Sequence, residues 1–202
     1  TDTIRILSNR LNSMGTTEIT IQQQGKHRIA IQLPGVQDPD EAIRLLGRTA
    51  KLTFQLLCED QPTSENQNPP PECKALPLKE TPAQMLWVQT SSRATVDGAD
   101  LTDAQPGFDE NNRPVVIFKF NQKGSLRFGK LTAENVGKPF AIILDGVVVS
   151  YPVINQAILG GSGEISGNFT TQETSELAIV LRSGALPAKL IMVEQRTVGP
   201  RL

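Results

Sequence analysis

The amino-acid sequence predicts an α+β protein in which a small first domain is interrupted by an inserted second one. Three observations predict it. Residues 1–57 read as helix, strand, strand, helix, strand. A sheet built from those strands lacks one member, and the next suitable stretch is KLIMVEQ at 189–195. Between them lie enough strand, turn and helix signals for a domain with its own core.

Ile4, Leu7, Leu11 and Met14 recur at helical spacing, and Gly15 supplies a C-cap. Residues 17–23 and 27–33 follow as strands, with Gln24-Gly25-Lys26 as their turn and Pro34-Gly35 as the stop. Asp38-Pro39-Asp40-Glu41 offers an N-cap, a proline at the first helical position and an acid in the first turn. The helix buries Ala42, Leu45 and Leu46 and ends at Gly47, and a third strand covers 50–57. This order is most of a ferredoxin-like split βαβ unit.

In the insertion, residues 85–89 form a short strand and Asp97-Gly98 a turn. Residues 115–120 alternate as a half-buried strand, and 121–136 are helical, with Leu126, Leu131 and Val136 as core candidates. Strands at 141–144 and 147–154 join through Asp145-Gly146, the strongest short hairpin signal. A strand near 164–167 and a Thr170/Glu173 capping box follow; the capped helix carries Leu177, Ala178 and Leu181 and stops at Gly184. The expected boundaries are a base at 1–94, including a proline-rich loop at 58–74, a head at 95–186, and the last base strand in 187–202.

Twenty basic and 21 acidic residues leave a net charge of −1, so no broad attraction to nucleic acid is expected. No apolar run approaches the ~20 residues of a membrane span, and the amphipathic, charged opening TDTIRILSNRLNSMG does not read as a signal peptide. The polypeptide itself is therefore expected to be soluble. Cys58 and Cys73 flank EDQPTSENQNPPPE. They are either a disulfide closing that loop or two separate thiols in a reducing compartment.

The stretch GGSGEISG, residues 160–167, raises the question of a phosphate loop. Ser166 stands where GxGxxG needs its third glycine, and no Walker lysine follows. Strand-like residues flank it, so glycines serving a tight turn, a bulge or close backbone approach explain it better. Ser162 misses GxSxG because position 164 is glutamate. His27, the sole histidine, is expected on a surface strand of the other domain and supplies no general base. One histidine and two loop-separated cysteines are too few for a zinc site. Asp97, Asp100 and Asp103 in DGADLTD miss the EF-hand pattern and read as a turn followed by a helix N-cap. No catalytic residue, cofactor or metal site is expected. Residues 147–154 with Ile158 and Leu159 read first as core, and otherwise as a sheet edge or groove for an extended peptide.

GVQDPDEAIRLLGRTAKLTFQLL (35–57), TVDGADLTDAQ (95–105), FNQKGSLRFGKLTAENVGKPFAIILDGVVVSYPVI (120–154), GGSGEISGNFTTQETSELAIVLRSGALP (160–187) and VEQRTVGP (193–200) together resemble the large extracytoplasmic loop of the SecD family. That resemblance spans nearly the whole chain. It implies a ferredoxin-like base with a mobile head, lying between the first two membrane helices of a longer protein. That protein would sit in a bacterial inner (or thylakoid) membrane with this domain on the periplasmic or lumenal side. It would be non-enzymatic and, driven by proton-motive force, would work with SecF and the SecYEG channel on emerging unfolded preprotein. The oxidising side of the membrane favours the Cys58–Cys73 disulfide.

Under this resemblance the preprotein-binding candidates are Leu144, Asp145, Gly146, Val149, Tyr151, Pro152, Ile154, Ile158, Gly161, Gly163 and Phe169. The hinge candidates are Ser92, Arg93, Gly184, Leu186 and Pro187. Tyr151 stands where a small residue is expected, and the proline-rich loop reads as a lineage-specific elaboration. The alternative is a porter-type domain of a related RND multidrug exporter, which would call for an internal repeat that the sequence does not show. A hydrolase lacks its base.

Overall fold

A computed structural model of the chain describes residues 2–15, 18–34 and 38–193. Within these, the elements are α1 (Asp2–Ser13), β1 (Thr20–Gln24), β2 (Arg28–Gln32), α2 (Pro39–Gly47), β3 (Leu52–Leu56), β4 (Cys73–Pro77), β5 (Met85–Gln89), β6 (Thr95–Asp97), β7 (Leu101–Phe108), β8 (Pro114–Phe120), α3 (Gln122–Glu134), β9 (Phe140–Leu144), β10 (Val147–Ser150), β11 (Ser162–Ile165) and α4 (Thr171–Ser183). The chain is α+β, as its sequence predicts. It divides into two compact units: Thr1–Thr49 with Leu186–Leu202, and Ala50–Ala185.

The smaller unit is discontinuous, and the larger unit lies between its two parts in the chain. Ile6, Leu7 and Leu11 of α1 pack with Leu46 of α2 and with Leu186, which arrives from the far side of the insertion. The β1–β2 hairpin lays Ile21, Ile29 and Ile31 against this cluster. Asp38 accepts the Glu41 N–H at 3.1 Å, and Pro39 opens α2.

Arg10 is fully buried. Its Nη1 donates to the carbonyls of Leu45 (2.8 Å), Leu46 (3.1 Å) and Arg48, the free acceptors at the end of α2. Arg10→Met keeps the aliphatic stem and loses the donors. It should destabilise the smaller unit by about 2 kcal/mol, read as faster amide exchange in α1 and α2.

Three expectations about this unit differ from the structure. The base was expected to run to residue 94, but the division falls at 49/50 because β3 belongs to the other sheet: it pairs with β9 on one side and β6 on the other. His27 lies in the exposed turn between β1 and β2 and not on a strand. The last base strand expected at 189–195 is irregular through residue 193, and residues 194–195 lie outside the described residues.

The larger unit holds an antiparallel sheet in the order β10-β9-β3-β6, a second in the order β11-β8-β7, and the β4–β5 ribbon. All five residues of β9 are buried, because the first sheet is covered on both faces. On one face Ala141, Ile143 and Val148 meet Leu76, Leu78, Leu86 and Val88 of the ribbon side. On the other lies an aromatic core around Phe54, whose ring centroid is 5.2 Å from Phe118, 5.7 Å from Phe120, 5.3 Å from Phe128 and 6.2 Å from Phe140. Cys58 and Cys73 are joined by a disulfide.

In α3, Leu131 is buried but Leu126 is exposed, against expectation, and Val136, expected in the helix, lies beyond its end and is exposed. The helix packs instead through Phe128, Leu131, Thr132 and two glycines, Gly124 and Gly129, which let it lie close to its neighbours. Asp97 caps a short 3-10 turn by accepting the Ala99 N–H at 2.9 Å. Asp100 ends that turn and Asp103 lies in strand β7, where a helix was expected.

Candidate functional site

The candidate residues fall into three groups in the larger unit. The first is the β9–β10 hairpin. Asp145 (φ 51°) and Gly146 (φ 79°) form the two-residue turn, both in the left-handed region that a type I′ hairpin requires. Asp145 also has a structural task. Its carboxylate accepts the N–H groups of Lys51 (2.8 Å) and Ala50 (3.1 Å), and its own N–H donates to the Lys51 carbonyl (2.8 Å). The hairpin thus holds the point where the chain enters the larger unit. Leu144 and Val149 are buried.

The outer edge of β10 is not open to a visiting strand along its length. Lys79 N–H donates to the Val148 carbonyl at 2.9 Å, Leu78 bridges Val148, and Gly167 packs against the Val149 carbonyl. The expected strand at 147–154 ends at Ser150.

The second group is the irregular run 151–161. Ile154 is buried and tied by its N–H and C=O to Lys138 and Gly137. Tyr151, Pro152 and Val153 stay exposed. Ile158 is half-buried, and its N–H donates to Thr132 Oγ1 of α3 at 2.8 Å. The run ends at the glycines. Gly161 (φ 71°) sits so close to α3 that a Cβ would fall 2.0 Å from Ser125 Oγ. A Cβ on Gly163 would meet the Phe118 ring at 2.7 Å. Close packing in the fold therefore accounts for both positions, and no phosphate cradle is needed.

The third group surrounds Phe169, which is buried with Lys79 Nζ 3.9 Å from its ring centroid. Lys79 also donates to the Gly167 carbonyl and pairs with Glu173 at 3.4 Å. Glu173 completes the Thr170 capping box at the start of α4. Burial raises its carboxyl pKa, but the Thr170 N–H and the charge and hydrogen bond of Lys79 outweigh it, so the net shift is downward. A carboxylate with a lowered folded pKa stabilises the fold above its ordinary value of 4.5 and loses that contribution as the pH falls below it. Glu173→Gln should therefore flatten the stability–pH slope in that acid range, as measured by urea midpoints across pH. Lys79 went unnoticed in the sequence because nothing local links it to Phe169.

The hinge candidates divide. The crossings between the units are at Thr49–Ala50 and Ala185–Leu186. Ser92 and Arg93 lie elsewhere, in a 3-10 turn between β5 and β6 inside the larger unit. Gly184 (φ 95°) caps α4 just before the second crossing, Leu186 is buried, and Pro187 follows it. Leu186 N–H donates to the Thr49 carbonyl at 3.0 Å, so both strands of the crossing leave the smaller unit side by side. Ala50, with φ 53°, is the first residue beyond it.

Residues 1–59 match the family described as protein translocase subunit SecDF, P1 domain, N-terminal, and residues 74–188 match SecDF, P1 head subdomain. The chain belongs to the SecDF P1 family. The loop closed by the disulfide lies between the two matched ranges. The chain is 43% identical over 199 residues to the SecD translocase subunit of Rhodobacter capsulatus and 42% identical over 201 residues to that of Rickettsia conorii. Each match covers 98% of this chain but only 35% and 39% of those proteins, so the chain spans little more than a third of their length. Two solved SecDF structures are also similar. One is SecDF in its super-membrane-facing form (TM-score 0.79, 36% identity, 96% of this chain and 27% of that one). The other is described as a membrane component that enhances protein export (TM-score 0.77, 36% identity, 98% and 92%). The related proteins are translocase subunits, and the multidrug-exporter reading is not favoured. Among the described residues, no helix is long and apolar enough to cross a membrane.

Proposed function

We propose that this P1 domain is the extracytoplasmic part of a proton-motive-force-driven Sec translocase accessory subunit. It takes hold of emerging unfolded preprotein with the larger unit, the head, and assists translocation by moving the head relative to the base. It does so without catalysis or cofactor, alongside SecF and the SecYEG channel, on the periplasmic or lumenal side of the membrane. The observation that carries this reading is the division of a SecDF P1 chain into two units, between which the chain passes at Thr49–Ala50 and Ala185–Leu186. Chain crossings between units are where hinge movements of this kind pivot.

Of the preprotein-binding candidates, Tyr151, Pro152 and half-buried Ile158 offer side chains to a visitor. Buried Leu144, Val149, Ile154 and Phe169 instead support the surface behind them. A photoreactive residue at Tyr151 should crosslink a preprotein stalled in the channel. The same probe at His27 in the smaller unit should not. Crosslinks confined to His27 would overturn the head as the capturing unit.

A further inference from the structure

We propose that the exposed face of α3, together with Leu159, rests on an anionic lipid surface. Helix α3 buries Gly124, Phe128, Gly129, Leu131 and Thr132. At about 100° per residue, Leu126, Lys130, Lys123 and Arg127 then fall within an arc of about 100° on its other side. All four are exposed, Leu126 by 68%. Leu159 joins this face from outside the helix. Its Cδ2 comes within 3.2 Å of where a Gly129 Cβ would be, and the neighbouring Ile158 N–H bond to Thr132 holds the loop there. It nevertheless leaves 74% of its surface exposed.

A single exposed leucine is ordinary. Two exposed leucines, one on α3 and one packed beside it at Gly129, with three cations have the composition of an interfacial surface: apolar groups to enter the headgroup boundary and positive charge to meet anionic lipid. The only acidic residue of α3, Glu134, is its last; it falls on the same exposed arc and leaves three cations against one carboxylate there. The concentration is local, since the whole chain carries a net charge of −1. Charge complementarity selects lipid over a translocating polypeptide, because an emerging chain has no fixed sign of charge whereas an anionic leaflet always attracts cations. The inference rests on the reading of the chain as part of a membrane-embedded translocase subunit, which keeps a bilayer within reach.

The test is co-sedimentation of the 202-residue chain with phosphatidylcholine vesicles, with and without phosphatidylglycerol. Binding should require phosphatidylglycerol and weaken with added salt. It should fall by about tenfold or more in Lys123→Glu/Arg127→Glu/Lys130→Glu, and also in Leu126→Ser/Leu159→Ser. These positions are exposed, and an unchanged circular dichroism spectrum confirms folding. Binding that ignores phosphatidylglycerol, or that both variants retain, overturns the proposal. So does an unfolded peptide that binds this face while vesicles do not. A chain that crosslinks preprotein at Tyr151 yet ignores vesicles refutes this inference alone, and failure at Tyr151 with intact vesicle binding refutes preprotein capture alone.

Discussion

Phe54→Ala is expected to destabilise the larger unit by about 3–5 kcal/mol, the largest effect of any single substitution considered. The Phe54 ring is completely buried and lies within contact distance of Phe118, Phe120, Phe128 and Phe140. Those four rings come from β8, α3 and β9, and Phe54 itself from β3. One side chain therefore joins both sheets and the helix on which the 151–161 run is pinned. Truncation removes a tilted and edge-to-face network as well as buried area, and rings anchored on separate elements cannot all collapse into the space left. Trp87, the only tryptophan, is buried in the same unit, so its fluorescence in a urea titration reports this unit directly. Phe108→Ala serves as the control: its ring is 60% exposed, and the change should stay within about 0.5 kcal/mol. If the two variants shifted the midpoint equally, the aromatic core would not be the organising contact of the unit.

Much of this architecture was legible in local patterns. The Asp38 cap, the Asp145-Gly146 turn, the Thr170/Glu173 box and the 115–120 alternation all rest on neighbours in sequence, and each formed where its residues stand. The fate of β3 was not local. Leu52–Leu56 is an alternating strand that any sheet would accept, and only the partners Phe140–Leu144 and Thr95–Asp97 place it in the larger unit. Leu126 misled for a related reason. Helical spacing marks it as core, but the two glycines let α3 pack along a different stripe, and Leu126 was turned outward. β7 was missed because LTDAQPGF holds a proline and a glycine that argue against a strand, yet both sit on the register with β8.

The candidate site divides along the same line. Which residues would gather near the hairpin could be read from the motif, but which of them face outward could not. Phe169, for one, is buried beneath Lys79, which is remote in sequence. Of the two chain crossings between the units, only the second was legible, where Gly184 and Pro187 announce a change of direction. The first crossing, at Thr49–Ala50, carries no such residues. It is defined by hydrogen bonds to Leu186 on one side and Asp145 on the other.

Opening the Cys58–Cys73 disulfide is expected to cost the larger unit about 3 kcal/mol, the loop-closure entropy for a separation of 15 residues. The bond joins the end of β3 to the start of the β4–β5 ribbon, and Cys58 N–H donates to the Trp87 carbonyl at 2.9 Å across the same junction. Within the loop, the Gln61 side chain both donates to the Trp87 carbonyl and accepts the Trp87 N–H, while Thr90 N–H and Oγ1 donate to the Glu72 carbonyl. Those bonds hold the loop in the folded state but do nothing to restrict the unfolded chain, which is where the crosslink acts. The loss should therefore appear as a lower urea midpoint in Cys58→Ser/Cys73→Ser, with the folded spectrum nearly intact. Because the ribbon covers Ala141, Ile143 and Val148, early unfolding should be visible at Trp87, while amide exchange in α1 and α2 of the smaller unit stays unchanged. An unchanged midpoint would mean that the hydrogen-bonded loop already restrains the unfolded chain. Faster exchange in α1 and α2 would mean that the two units do not unfold independently, and the double crossing would then be a coupling element and not a pivot.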